Sequence, residues 1–219
     1  MADYKKPDFW QLKAQKEGYP ARSVYKLKEM DEKFGLFKAA RNGKQGANFR
    51  ALDLGAAPGS WSLYAMRTMR DTGFLAAADL SPLSRQYDKG LFDRDNFFFI
   101  QGDFTDPVIR HEIISRGPYH LIISDAAPAT TGNRSIDTAR SLELAESVTA
   151  YAEDAMEKGG TLAIKVFQGQ DTISILQKMK TLFTSAKSFK PQACRSESFE
   201  MYYLGIDYSP PANSSGVFA

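Results

Sequence analysis

The residues best suited to chemistry lie where apolar runs give way to small or acidic residues. The first such place is Asp53-Leu54-Gly55-Ala56-Ala57-Pro58-Gly59-Ser60-Trp61. Small residues there let backbone N–H groups approach a ligand at the start of a helix. The spacing is GxxxG and not the GxGxxG of a dinucleotide fingerprint, and a tight structural turn is the competing reading. Asp79 follows Gly59 by twenty residues, where a carboxylate can accept hydrogen bonds from ribose hydroxyls. In Gly102-Asp103-Phe104, the carboxylate suits an exocyclic amine and the ring suits a nucleobase. Each aspartate alone could be a helix cap. Together, Asp53, Asp79 and Asp103 beside a glycine turn point to a nucleoside-bearing cofactor. The cationic sulfonium of S-adenosylmethionine suits so acidic a setting better than a dinucleotide does.

A second group carries charge among apolar neighbours. Asp125 stands in Ser124-Asp125-Ala126-Ala127-Pro128, and Lys165 in Ile164-Lys165-Val166-Phe167. A lysine inside an apolar strand is costly unless paired. It is either a structural ion pair with Asp125 or a catalytic amine held by it. Glu200 is a further carboxylate between Phe199 and Met201, and Lys26, in Val24-Tyr25-Lys26-Leu27, reads alone as a surface helix lysine.

The elements that must position these groups follow from periodicity. Helical spacing is predicted over 21–34, with Gly35 as its stop, and 38–48 reads as a polar loop. Strands are predicted at 49–54, 74–79, 97–101, 119–124 and 161–167, with helices near 60–70, 106–116, 136–157 and 172–183. Gly159-Gly160 is expected to end the third of those helices. Two extended runs, 186–189 and 199–206, close the series. Strands alternating with helices imply a parallel sheet covered on both faces. Only about nine residues separate the last two strands, too few for a helical crossover, so they should pair antiparallel. Ligands of such a sheet bind beyond the carboxyl ends of its strands, where the acidic residues cluster.

The chain has 219 residues, 43% of them hydrophobic and 25% charged, which fits a globular protein. No apolar run reaches the ~18 residues needed to span a bilayer, and the amino-terminal stretch lacks the apolar core of a secretory signal. A membrane protein is therefore not expected, and a cytoplasmic location is. One cysteine, Cys194, and two histidines leave little for a sulfur- or imidazole-based metal site, so none is expected. Residues 1–50 hold 12 Lys or Arg against 6 Asp or Glu, although the net charge is only +2. Either this is a solvated face or a docking surface for a polyanion. Lys5, Lys6, Lys13, Lys16, Arg22, Lys28 and Arg41 are the candidate phosphate contacts, with Trp10 and Tyr19 as possible stacking partners.

These motifs resemble those of the FtsJ-type ribose 2′-O-methyltransferases. The likeness runs from Lys13 to about Ile206. It rests on AQKEGYPARSVYKLKEMDEKF, ALDLGAAPGSW, ADLSPL, QGDFTD, SDAAPATTG, GGTLAIKVFQG and KPQACRSESFEMYYLG. The resemblance implies an α/β, Rossmann-like methyltransferase fold, a seven-stranded, mostly parallel sheet with its last strand antiparallel and helices on both faces. It implies a catalytic tetrad of Lys26, Asp125, Lys165 and Glu200, with Lys165 the proton acceptor. It also implies S-adenosylmethionine contacts at Gly55, Gly59, Trp61, Asp79, Asp103 and Asp125. The implied substrate is ribosomal RNA, a uridine of 23S RNA in the large ribosomal subunit, with no DNA or membrane partner and a monomeric state. A transfer RNA 2′-O-methyltransferase and a non-catalytic RNA-binding or assembly protein are the alternatives. Departures from the family pattern are Gly59-Ser60-Trp61 in place of Gly-Gly-Trp, Ala129 where many members have Asn, and long segments at 38–48 and 83–96. The expected organisation is a basic segment at 1–48 joined to a methyltransferase core at 49–207, with a disordered tail at 208–219.

Overall fold

The computed structural model describes residues 8–42, 48–169, 171–195 and 197–210. Lys5, Lys6 and most of the expected tail lie outside the described residues.

The strands fall close to where the apolar runs put them. They are β1 (Arg50–Leu54), β2 (Phe74–Asp79), β3 (Phe97–Gln101), β4 (Tyr119–Ser124), β5 (Met156–Phe167), β6 (Phe183–Phe189) and β7 (Glu200–Tyr208). They form one sheet in the order β3-β2-β1-β4-β5-β7-β6. β1 to β5 are parallel, and β7 runs antiparallel to both β5 and β6. The hairpin expected from the short connection is present. The order reverses between β1 and β4, and such a switch point opens a crevice at the strands' carboxyl ends.

The helices are α1 (Phe9–Lys16), α2 (Val24–Phe34), α3 (Lys38–Arg41), α4 (Ser60–Met69), α5 (Pro107–Ile114), α6 (Arg134–Ala155) and α7 (Ile173–Leu182). α2 buries Val24, Leu27 and Met30 at helical spacing and ends at Gly35, whose N–H donates to the Asp31 carbonyl. On the sheet face toward α2 and α4 the core holds Leu27, Met30, Trp61, Met66 and Tyr202. On the other face it holds Tyr119, Tyr151, Val148, Leu162 and Ile164.

Three elements differ from expectation. α1 was not anticipated, because Ala14 is its one buried residue; its signal is the Asp8 cap, whose side chain accepts from the Gln11 N–H. Part of the 38–48 segment is the single turn α3. Gly159-Gly160 does not end α6. The helix stops at Ala155 and β5 begins at once, running through both glycines. Gly159 adopts φ +81°, and the register jumps from Tyr119↔Met156 to Leu121↔Thr161. The glycines thus serve a bulge within the strand.

At the switch point Gly55 has φ +77°, and a Cβ there would sit 2.6 Å from Ala126 Cα. The turn after β1 therefore presses against the turn after β4. Gly132 has a similar φ of +82°, and a Cβ there would meet no atom of the described residues within 4 Å. Gly55→Ala is expected to cost about 2–4 kcal/mol in urea unfolding, because backbone strain and crowding combine. Gly132→Ala should cost only about 1 kcal/mol from strain, and equal losses would exclude crowding as the cause.

Candidate active site

Four charged side chains from four distant parts of the sequence converge beside the switch point. Lys165, midway along the apolar carboxyl half of β5, places Nζ 3.1 Å from Asp125 Oδ1 and also donates to the Asp125 backbone carbonyl. Asp125 follows directly on β4, the strand paired with β5. Lys26 on α2 places Nζ 2.8 Å from Glu200 Oε1 and 4.0 Å from Asp125 Oδ1. Glu200 opens β7 opposite Phe167. All four side chains are at most 17% exposed. The sequence-predicted tetrad is thus one connected ion network.

Burial alone would raise the Asp125 pKa, but the Lys165 and Lys26 ammoniums and the Tyr202 hydroxyl hold it below the usual carboxylate range. Burial alone would lower the Lys26 pKa, but Asp125 and Glu200 overcome it and raise it. Lys26 is therefore a fixed cation at neutral pH. The Tyr202 hydroxyl donates to Asp125 Oδ1 at 2.5 Å. Burial, with Asp125 and Glu200 nearby, keeps it a phenol far beyond neutral pH. Tyr202 was not singled out from sequence. Its signal is its place two residues after Glu200, on the same face of β7 and opposite Lys165.

The network stands between two hollows. The larger, about 930 Å³, is lined by Gly55, Asp79, Asp103, Phe104, Asp125 and Ala126, among others. The smaller, about 290 Å³, is lined by Arg22, Ser23, Lys26, Arg195, Ser198 and Glu200, with Ala193. Of the predicted cofactor contacts, Gly55, Asp79, Asp103 and Asp125 line the larger hollow, and Gly59 and Trp61 do not. Trp61 is buried, donates from Nε1 to the Ser23 carbonyl at 2.8 Å and packs on Tyr202. It ties α4 to the entry of α2, and so fixes where Lys26 stands. Gly59, at φ +105°, starts α4.

The larger hollow suits a cationic nucleoside. Asp79 orders the glycine turn by accepting from the Ala57 N–H at 2.9 Å, and Asp103 accepts from Thr105. Asp53 lies behind the turn, fully buried, with Oδ2 taken by the Ser62 hydroxyl and Oδ1 without a partner among the described residues. Burial, with Asp125 and Asp79 adding repulsion against the Ser62 hydrogen bond, raises its pKa to about 7.

The smaller hollow is built by clamps between α2 and the β6–β7 connection. Glu29 accepts from the Gln192 and Ala193 N–H groups at 2.6 and 2.9 Å, and Arg22 donates to the Ala193 carbonyl at 2.5 Å. Several expected phosphate contacts are already engaged. Arg22 pairs with Asp8, Lys28 with Glu17 and Arg41 with Asp31. Tyr19 is buried beneath Lys28 and Arg67, so it offers no open ring for a base. Trp10 packs on Tyr25 with Lys13 over its ring.

No helix of the described residues is long and apolar enough to cross a membrane. Residues 19–208 match the FtsJ-like methyltransferase family. The chain is 48% identical to the ribosomal RNA large subunit methyltransferase E of Treponema denticola, over 94% of this chain and 96% of that protein. It is 42% identical to the protein of the same name from Oleidesulfovibrio alaskensis, over 92% and 91%. Among solved structures it resembles a ribosomal RNA methyltransferase from Plasmodium falciparum, with a TM-score of 0.69 and 26% identity, over 87% of this chain and 98% of that one. Human methyltransferase-like protein 13, solved with SAH, shares the fold at a TM-score of 0.54 and 12% identity, over 86% of each chain.

Asp53 generates a pH prediction. An acid whose pKa is about 7 when folded and near 3.9 when unfolded contributes its full stability below pH ~4 and loses it as pH rises toward 7. Asp53→Asn should abolish that slope. It should exceed the ligand-free wild type in stability at pH 8 by about 2–4 kcal/mol, and match it near pH 4. Chemical denaturation across pH 4–8 reads the difference, and parallel curves would place an ionised carboxylate at this position.

Proposed function

Since the chain belongs to the FtsJ-like methyltransferase family, we propose that it methylates a ribose 2′-hydroxyl of ribosomal RNA in the large ribosomal subunit, using S-adenosylmethionine. The observation that carries this reading is the ion network dividing two hollows. Asp125 faces the larger one, while Lys26 and Glu200 line the smaller. A donor held on one side and an acceptor on the other would meet across these side chains.

Asp79, Asp103 and Asp125, with the backbone turn at Gly55, would hold S-adenosylmethionine. When bound, it supplies a methyl group made electrophilic by a sulfonium. The acceptor hydroxyl must be brought in line and relieved of its proton. Holding it in a near-attack position can be worth about 7–11 kcal/mol, and a positioned base typically adds ~10²–10⁴ in rate. Lys165 Nζ is the proton acceptor in this reading, and it must first release one ammonium proton to solvent so that it enters the step as the neutral amine. Two of its hydrogen-bonding directions are fixed by Asp125 Oδ1 and O, which orients the amine without crowding its remaining one. Lys26, a cation anchored by Glu200, stabilises negative charge growing on the attacking oxygen. Tyr202 keeps Asp125 from swinging away by donating to it. Selection of RNA over DNA follows from the target atom, which DNA lacks.

Labelled S-adenosylmethionine, incubated with large subunits from a strain lacking this protein, should transfer its methyl group to one ribose of the ribosomal RNA. Transfer to tRNA instead, or no transfer, would overturn the reading. Lys165→Ala is expected to cut turnover about a hundredfold or more, while cofactor affinity stays within a few-fold by calorimetry. Loss of cofactor binding would make the lysine structural. If Lys13 and Lys16 contact phosphates, RNA affinity should fall steeply with salt, and the double alanine variant should flatten that slope. An unchanged slope removes α1 from the interface.

A further inference from the structure

We propose that Ser60 is a positioning residue for methyl transfer. Its hydroxyl clips the turn beside the larger hollow to the segment that lines the smaller one, and so sets how the two face each other. This rests on the reading of the larger hollow as the donor's place and the smaller as the acceptor's.

The hydroxyl makes two hydrogen bonds to one residue. Ser60 Oγ accepts from the Ala21 N–H at 2.9 Å and donates to the Ala21 carbonyl at 3.2 Å. A hydroxyl can do both at once, having one O–H and free lone pairs, and here the two bonds restrain both peptide groups that flank the Ala21 Cα. Ser60 is itself held firmly. It is buried and opens α4. The turn before it is closed by the Gly59 N–H on the Ala56 carbonyl at 2.7 Å, and braced by the Ser84 N–H on the Pro58 carbonyl at 3.0 Å. Three residues earlier, Ala57 lines the larger hollow and donates to Asp79.

On the other side of the clip, Ala21 adjoins Arg22 and Ser23, which line the smaller hollow. This entry to α2 is weakly secured by its own bonds. Ser23, at the N-cap, makes no side-chain capping bond within the described residues, and the Ala21 carbonyl receives the Val24 N–H only at 3.5 Å. The Ser23 carbonyl accepts from the Lys26 N–H at 3.0 Å, so a shift of the entry is passed to the cation three residues on. Trp61 holds Ser23 from α4, and Ser60 adds a second grip on the near side of Arg22. The glycine of a Gly-Gly-Trp sequence could make neither of its bonds. A displacement of about 1 Å arising away from the chemistry can cost ~10²-fold in rate, whereas affinity for RNA is spread over many contacts. Ser60 therefore acts on the transfer step more than on the binding of either partner.

Single-turnover transfer from labelled S-adenosylmethionine to large subunits lacking the modification, run below the thermal midpoint of every variant, separates the two. Ser60→Ala and Ser60→Gly should slow the transfer step about tenfold, while the half-saturating concentration of large subunits and the calorimetric cofactor affinity stay within about threefold of wild type. Ser60→Thr, which keeps the hydroxyl, should recover most of the rate. Ser60→Ala transferring as fast as an active wild type would overturn the clip. So would a Ser60→Thr variant that binds cofactor normally yet is as slow as the alanine one. A loss shared by rate, half-saturation and cofactor affinity would also overturn it, making Ser60 a packing residue. A wild type that transfers no methyl group to RNA overturns the functional reading itself, and this inference with it.

Discussion

A buried carboxylate that must answer two ammonium groups governs this molecule. Asp125 lies within 4.0 Å of both Lys26 and Lys165. Removing such a charge from water is expensive unless partners replace the lost solvation. Here the replacement is complete only when β4, β5, β7 and α2 are all in place. The sheet supplies Asp125 and Lys165 from paired strands, Tyr202 comes from the next strand, and α2 is held against them by Trp61. The network therefore selects one arrangement of four elements, and the costly charges are held where the two hollows meet.

The same economy explains residues that touch neither hollow directly. Trp61 carries a sequence motif that suggests ligand contact, yet its ring spans α4, α2 and Tyr202. Glu29 lies one turn along α2 from Lys26 and grips the β6–β7 connection through two backbone N–H groups. Both act by fixing the position of Lys26 relative to Glu200, a distance that a free helix would not maintain.

Much of this was readable from residue order. The β2, β3 and β4 boundaries and the β6–β7 hairpin follow from apolar runs and connection length, because a strand buried on both faces leaves little compositional freedom. Asp125, Lys165 and Glu200 stood out because charge among apolar neighbours is costly, whereas Lys26 read alone as a surface lysine and joined them only through the family resemblance. What escaped has physical reasons too. α1 buries too little for periodicity to register. The glycines in β5 imitate a helix stop, since positive φ serves a bulge and a terminus equally well. The basic surplus of the first fifty residues overstated the free positive charge, because Asp8, Glu17 and Asp31 pair with it at separations that no local pattern exposes.

The reversed direction of β7 has a temporal consequence. In a wholly parallel sheet every strand delivers its finishing end to the working rim, but β7 delivers its beginning there, after β6 has run the other way. The acid-lined hollow draws its lining from residues up to Ser147, whereas the basic one draws on residues up to Glu200. During synthesis, the half that would grip the donor is therefore encoded long before the half that would admit the acceptor. A nascent or truncated chain can at most present the former, and only a finished polypeptide has both.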